Sequence, residues 1–177
     1  MQNLFDYCGD LMSQVVAYSN SITVDIADMI VSNKVSDRLI TYSLGSCIGL
    51  AIWDPQAKVG GLLHYMLPDS SISPEKAKSK PYMFADTGIP LLFKSVYSLG
   101  GEKKRLIVKV AGGAQMMDAK GVFNIGKRNY MALRKLLWKN NVMIDAEDVG
   151  GFESRTMTLD ISSGLVTIKK NKRIIEL

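Results

Sequence analysis

Two short apolar segments separated by a turn constrain the fold of this chain more than any other feature. The first segment covers residues 48–53 and the second covers residues 59–66. The linker between them begins with Asp54 and Pro55. Proline presets the backbone angle φ of a turn, and aspartate favours its first position. Two apolar runs joined in this way predict an antiparallel β-hairpin.

Pairing across this hairpin brings two reactive side chains together. If Trp53 pairs with Lys58, Cys47 faces His64. If Trp53 pairs with Val59, Cys47 faces Tyr65. Directly opposed Cβ atoms lie about 4.5–5.5 Å apart in an antiparallel pair. The register therefore predicts that His64, the single histidine, reaches the Cys47 thiol. A slip of one residue would instead put the two side chains on opposite faces.

A cysteine beside a histidine is typical of a hydrolase with a thiol nucleophile. The thiolate attacks, and the imidazole takes the thiol proton and later returns it to a leaving amine. Thr41 lies six residues before Cys47 on an apparent strand at 38–43, and its hydroxyl is a candidate to orient the ring. Gly45 and Ser46 permit a tight turn whose backbone N–H groups are candidate oxyanion donors.

The same residues also have a purely structural interpretation. A cysteine in an apolar strand is commonly a small core side chain. A single histidine is commonly a surface residue or a hydrogen-bonded core residue. Sequence pattern alone leaves both interpretations open.

A glycine pair, Gly112-Gly113, follows a predicted strand at 106–110. It indicates either a plain turn or a place where the backbone approaches a substrate closely. The Lys-Ser/Thr of a nucleotide-binding loop is absent after it, which argues against a nucleotide site.

Five short motifs of the chain occur together in one known protein family. They are Leu44-Gly-Ser-Cys-Ile-Gly-Leu50, Gly60-Gly-Leu-Leu-His-Tyr-Met-Leu-Pro68, Tyr82 to Thr87, Ala111-Gly-Gly-Ala114 and Asn124-Ile-Gly-Lys-Arg-Asn129. In combination they resemble CheD, the chemoreceptor glutamine deamidase family of bacterial chemotaxis. The resemblance runs from about residue 21 to about residue 170. It implies that Thr41, Cys47 and His64 are the catalytic residues and that the phosphatase CheC is a further partner.

The distribution of apolar residues predicts an α+β fold with helices packed on a mixed β-sandwich core, and the resemblance implies the same architecture in α/β/β layers. We expect residues 21–177 to form a single CheD-like cysteine hydrolase domain and residues 1–20 to form an N-terminal extension. Strands are predicted at 22–26, 38–43, 106–110, 142–149, 156–161 and 165–169, with a crossing segment at 27–37. Helices are predicted at 85–99 and 125–139, capped by Asp86 and Asn124, with a surface loop at 69–81. In the extension, an amphipathic helix is predicted from the apolar stripe Leu4, Cys8, Leu11, Val15 and Tyr18.

Charge is unevenly distributed along the chain, whose formal net charge is +5. Residues 101–135 contain nine Lys or Arg against Glu102 and Asp118. Such a region favours nucleic acid, an anionic membrane or an acidic protein. Zinc-finger spacing and an aromatic platform for single strands are both absent, which argues against nucleic acid. The resemblance implies an acidic partner, the cytoplasmic helices of chemoreceptors.

The cellular setting expected from the sequence is the cytoplasm. No apolar run approaches the length of a membrane span, so no membrane insertion is expected. The N-terminus carries Asp6 and Asp10 and lacks the basic and apolar regions of a secretory signal. Two cysteines make no disulfide framework. One histidine with scattered carboxylates predicts neither a metal site nor a cofactor.

The leading functional hypothesis is hydrolysis of receptor glutamine side chains to glutamate with release of ammonia, through a Cys-His-Thr triad and a thioester. A methyl ester at the same receptor position offers a similar carbonyl group, so esterase activity is also expected. The alternatives are a related cysteine transglutaminase or peptidase, and a non-enzymatic chemotaxis adaptor that binds CheC or receptors. Cys47 and His64 alone do not separate these enzymes.

Overall fold

The computed structural model describes residues 20–115 and 124–177. Two five-stranded β-sheets pack face to face within them, and helices cover the outer face of one sheet. The strands are β1 (Asn20–Thr23), β2 (Asp28–Ser32), β3 (Asp37–Leu44), β4 (Ile48–Asp54), β5 (Val59–Tyr65), β6 (Ile107–Gly112), β7 (Ala146–Val149), β8 (Arg155–Asp160), β9 (Val166–Lys170) and β10 (Arg173–Glu176). The α-helices are α1 (Pro74–Ser79), α2 (Ala85–Ser98) and α3 (Ile125–Lys139).

Both sheets are mixed. The first sheet has the order β1-β3-β8-β9-β10, and the second has the order β2-β5-β4-β6-β7. The pairs β1–β3 and β6–β7 are parallel, whereas the hairpin β4–β5 and its neighbours are antiparallel. The predicted α+β sandwich is therefore confirmed.

Strand β4 is buried on both faces, which explains its unbroken apolar sequence. Ile48 and Leu50 pack with α2 and α3 in one core cluster. Ala51 and Trp53 pack against the first sheet in another. In β5, Leu62 belongs to this second cluster, so every second residue of the hairpin points between the two sheets. The catalytic candidates lie in that layer.

Some boundaries differ from the sequence predictions. The crossing segment at 27–37 contains β2, the strand predicted at 142–149 begins only at Ala146, and the loop at 69–81 holds the short helix α1. Asp86 is not an N-cap; it lies in the first turn of α2, where its carboxylate accepts the N–H of Ser70 at 2.9 Å. Helix α3 is confirmed, and α2 ends one residue early.

The N-terminal helix prediction and Cys8 lie outside the described residues. Within the two described ranges, no helix is long and apolar enough to cross a membrane.

Candidate active site

The hairpin register places His64 opposite Gly49, not opposite Cys47. Pairing runs from Asp54 with Val59 at the turn to Ile48 with Tyr65 at the open end. The direct Cys47–His64 opposition predicted from the sequence is therefore wrong.

The turn explains the difference in register. The Asp54 carboxylate accepts the N–H of Gln56 at 2.9 Å and of Ala57 at 3.1 Å, and Lys58 adopts a positive φ of 51°. The loop thereby keeps four residues outside the ladder and extends β4 to Asp54. The true register differs from a direct Cys47–His64 pair by two residues. A shift of two preserves the face, and Cys47, which directly precedes the ladder, packs against the core cluster between the two sheets.

The nucleophile loop, defined as Gly45, Ser46 and Cys47, connects β3 to β4. Two of its backbone carbonyls accept hydrogen bonds from the segment at the end of β6. Ala114 N–H donates to Gly45 O at 2.8 Å, and Gly113 N–H donates to Cys47 O at 2.8 Å. Gly45 N–H is itself used, because it donates to Ser43 O at 2.8 Å.

The two N–H groups of the loop that remain are those of Ser46 and Cys47. Among the described residues, neither N–H donates a loop or cap hydrogen bond to a backbone carbonyl. These two N–H groups are therefore the candidate oxyanion donors of the loop.

The glycine pair holds the nucleophile loop in place. Gly112 has φ of 112°, and a Cβ atom there would lie 2.2 Å from Cys47 O. Only glycine combines that backbone angle with such a close approach. Gly113 uses its N–H on Cys47 O, as described above. At Gly112 the close backbone approach is therefore to the protein's own loop, while Gly113 also lines the cavity described below.

His64 is fully buried and hydrogen-bonded across the two sheets. Its Nδ1 lies 2.8 Å from Thr41 Oγ1, which belongs to β3 of the first sheet. Thr41 Oγ1 also lies 2.7 Å from Val24 O, which is purely an acceptor, so the hydroxyl proton is donated there. Thr41 Oγ1 must then accept the proton of His64 Nδ1–H. This tautomer leaves a lone pair on Nε2.

Nε2 of His64 is buried and has no hydrogen-bond partner among the described residues. The Cys47 thiol, which is partly buried, therefore makes no hydrogen bond to it in this structure. Catalytic hydrogen bonds are often long in enzymes without substrate and tighten when the substrate binds. A buried polar atom without a partner requires a functional or structural reason.

Burial keeps both reactive groups neutral. It raises the pKa of the Cys47 thiol above its ordinary value, an effect partly offset by its own backbone N–H. Burial lowers the pKa of His64 to about 4. At neutral pH the resting site is thus a thiol beside an uncharged imidazole that can act as a base.

This resting state predicts slow alkylation of Cys47 by iodoacetamide at neutral pH, since the thiolate is the reactive species. In a Cys8→Ala background, we expect the rate to rise continuously with pH through about pH 9, without a plateau. The rate is measured by mass spectrometry of the modified peptide. A plateau extending below about pH 6 would reveal a preformed thiolate–imidazolium pair and contradict this description of the site.

Asn129 is a fully buried residue of α3 that sequence reasoning did not include in the site. Its Nδ2 donates to Ser46 O at 2.9 Å and to Met66 O at 2.7 Å. Its Oδ1 is buried without a partner among the described residues. The available signal was a polar residue on the buried stripe of α3, in line with Leu133 and Leu137.

A cavity of about 700 Å³ opens beside the nucleophile loop. Its lining includes Ser46, Ile125, Lys127, Tyr130 and Phe152. Phe152 is 76% exposed, so an aromatic side chain stands at the cavity without protein covering it. The cavity is large enough to admit a side chain of a protein substrate.

The basic region is only partly available to a partner. Arg105 is paired with the buried Asp54 at 2.8 Å, and Lys109 donates to the carbonyl of Leu177. Lys127 and Arg128 are exposed in the first turn of α3, where Lys127 also lines the cavity. Among the described residues, no group of three His, Cys, Asp or Glu side chains is placed to hold a metal ion.

Comparison with known proteins gives consistent similarities. The family model described as CheD chemotactic sensory transduction matches residues 66–170. A protein of Syntrophus aciditrophicus named "Probable chemoreceptor glutamine deamidase CheD 1" is 59% identical over 85% of this chain and 94% of its own length. A similarly named protein of Solibacter usitatus is 53% identical over 88% of this chain and 92% of its own. A similarly named protein of Desulforamulus reducens is 50% identical over 84% of this chain and 89% of its own length.

Proposed function

Because the chain belongs to the CheD family, we propose that it is a chemoreceptor glutamine deamidase that works through Cys47 and His64. The proposed substrate is the side-chain amide of glutamines on receptor cytoplasmic helices, and the proposed location of the protein is accordingly the cytoplasm. The product is glutamate, with release of ammonia. The relatives carry this activity in their names.

The observation that carries the mechanism is the hydrogen bond of 2.8 Å between Thr41 Oγ1 and His64 Nδ1. It holds the imidazole in the tautomer whose Nε2 is free to accept a proton. His64 bonds to the first sheet across the layer between the two sheets, and Cys47 packs against the core cluster of that same layer. Thr41 therefore acts as the group that orients the base, and Cys47 as the nucleophile.

In the first half of the reaction, Cys47 Sγ attacks the glutamine Cδ while its proton passes to His64 Nε2. The carbonyl oxygen becomes an oxyanion, which we assign to the N–H groups of Ser46 and Cys47. Collapse breaks the C–N bond, and the His64 proton leaves with the ammonia. The enzyme is left with a thioester on Cys47.

In the second half, His64 takes a proton from water, whose oxygen attacks the thioester carbonyl. The C–S bond breaks, the proton returns to Cys47 sulfur, and glutamate is released. A glutamate methyl ester presents the same carbonyl with methanol as the leaving group. The same site is therefore proposed to act as an esterase as well.

Lys127 and Arg128 are proposed to steer the acidic receptor helix to the cavity. Exposed charges act over a screening length of about 10 Å at 0.1 M salt and about 3 Å at 1 M. In the variant Lys127→Glu/Arg128→Glu, we expect kcat/KM on a receptor fragment to fall at low salt and to approach wild type at high salt. Initial rates of ammonia release measure this dependence.

The matched control is Lys172→Glu/Arg173→Glu, which makes the same change in net charge at the exposed start of β10, on an edge strand of the first sheet. It should lower kcat/KM much less. Equal losses in the two double variants would mean that net charge alone matters and would discard the steering role.

Ammonia release from a receptor fragment, with and without a primary amine, tests the proposed function against its alternatives. A deamidase releases ammonia and forms glutamate. A transglutaminase would join the amine to the glutamine, and a peptidase would cut the fragment. An adaptor that binds receptors or CheC would release no ammonia.

A further inference from the structure

We infer that Asn129 is a positioning residue that aims the Cys47 N–H into the oxyanion hole. The inference deepens the proposed function, because it assigns a task within that same site to a helix outside the catalytic hairpin. It starts from the buried amide of Asn129, whose two hydrogens are both donated to backbone carbonyls.

The orientation of this amide is determined by its surroundings. Nδ2 lies 2.9 Å from Ser46 O and 2.7 Å from Met66 O, and both partners are acceptors only. A flipped amide would direct Oδ1 at two carbonyl oxygens and lose both bonds. Asn129 therefore donates twice and joins the nucleophile loop to the chain just after β5, the strand of His64.

Because the peptide bond is planar, the contact of Asn129 with the Ser46 carbonyl also sets the direction of the Cys47 N–H. The peptide between residues 46 and 47 carries the Ser46 carbonyl on one side and the Cys47 N–H on the other. When Asn129 holds the carbonyl, the N–H must point away from α3. Among the described loop and cap contacts that N–H donates to no backbone carbonyl, and its partner is the sulfur of its own residue, so a developing negative charge beside that sulfur can accept it.

Asn129 is the side-chain member of a set of three contacts on the nucleophile loop. The carbonyls of Gly45 and Cys47 accept from the backbone N–H groups of Ala114 and Gly113. The Ser46 carbonyl accepts from a side chain instead. A single substitution can therefore release this peptide while the other two contacts stay in place.

Two packing contacts keep Asn129 at a fixed position. A Cβ atom at Gly126, one turn earlier on α3, would lie 2.4 Å from Gly113 O, so the start of the helix rests directly on the glycine pair. The backbone carbonyl of Asn129 accepts Tyr65 OH at 2.8 Å. Helix α3 is thus attached both to β5 and to the loop after β6. These contacts fix the position of the Asn129 side-chain amide.

Two reagents separate this positioning role from a general loosening of the fold. Acylation by p-nitrophenyl acetate passes through a tetrahedral oxyanion: Cys47 Sγ bonds to the carbonyl carbon, its proton goes to His64, and p-nitrophenolate leaves. Alkylation by iodoacetamide displaces iodide at a saturated carbon and forms no oxyanion. The ratio of the acylation rate to the alkylation rate therefore measures how well the oxyanion hole stabilises the tetrahedral state, and it requires no receptor substrate.

In a Cys8→Ala background, we expect Asn129→Ala to slow Cys47 acylation about 10- to 100-fold, somewhat less than the loss of an entire oxyanion donor. The rate constant for alkylation of the Cys47 thiolate, taken from the pH profile, should stay within about twofold, because alkylation forms no oxyanion and a change in the thiol pKa appears separately in that profile. Leu137→Ala is the control, since it removes packing from the same helix without contact to Ser46. It should change the ratio less than about twofold.

Parallel loss of acylation and alkylation in Asn129→Ala would overturn the inference, and so would a ratio equal to that of Leu137→Ala. If Asn129→Ala does not fold, Asn129→Ser replaces it in the same assays. Failure of both variants to fold would show that Asn129 serves the fold alone and would also overturn the inference. Because neither reagent is a glutamine, these outcomes are independent of whether the protein deamidates receptors.

Discussion

Cys47→Ala is expected to lower the rate of receptor deamidation roughly 10⁴-fold or more, because no other described residue of the site has a thiol that can form the thioester. The thiol is only partly buried, so the free energy of unfolding should change by about 1 kcal/mol or less. Ammonia release from a receptor fragment measures the activity, and urea denaturation measures the stability.

Cys8→Ala is the matched control, since it removes the only other cysteine of the chain. It should retain wild-type activity. An inactive Cys8→Ala together with an active Cys47→Ala would mean that the nucleophile has been assigned to the wrong thiol.

His64→Ala is expected to be nearly as damaging, within about tenfold of Cys47→Ala, and the double variant should be no worse than either. Thiol and imidazole act as one unit, so removing the second partner costs little more. Steady-state rates of the two single variants and the double variant test this. If the fold-decrease in rate of the double variant equalled the product of the two single fold-decreases, the groups would act independently. That result would contradict the shared mechanism.

Thr41→Val provides the graded comparison within the same set. It removes the acceptor of His64 Nδ1–H and also the hydroxyl that donates to Val24 O, while keeping the size of the side chain. A buried hydrogen bond that loses one partner costs about 1–3 kcal/mol, or about 5- to 150-fold in rate. Thr41→Val should therefore be less active than wild type and more active than His64→Ala.

The sequence was informative about the site where the relation was local. Cys47 directly precedes the hairpin that carries His64, so the alternation of side chains was enough to predict a common face for the two. The register did not follow, because it depends on how the Asp54 carboxylate organises the turn. Because the shift is by two residues, the alternation of side chains along β5 is unchanged, and the pairing of Cys47 with His64 stays a prediction.

Relations between distant elements were not accessible in the same way. The Thr41–His64 bond depends on how closely the two sheets pack, and no local pattern encodes that distance. The contact of Asn129 with Ser46 depends on where α3 rests on the glycine pair. Strand β2 was missed because its sequence, Asp28 to Ser32, neither alternates clearly nor forms an apolar run.

Peptide mass spectrometry of a receptor fragment incubated with the protein in ¹⁸O-labelled water tests the central claim most directly. Replacement of the amide NH₂ by OH adds about 1 Da in ordinary water and about 3 Da in labelled water, since the water oxygen enters the product after the thioester forms. We predict this change at specific glutamines with wild-type protein and its absence with Cys47→Ala. Unchanged masses with wild-type protein, or equal changes with Cys47→Ala, would contradict deamidation by Cys47.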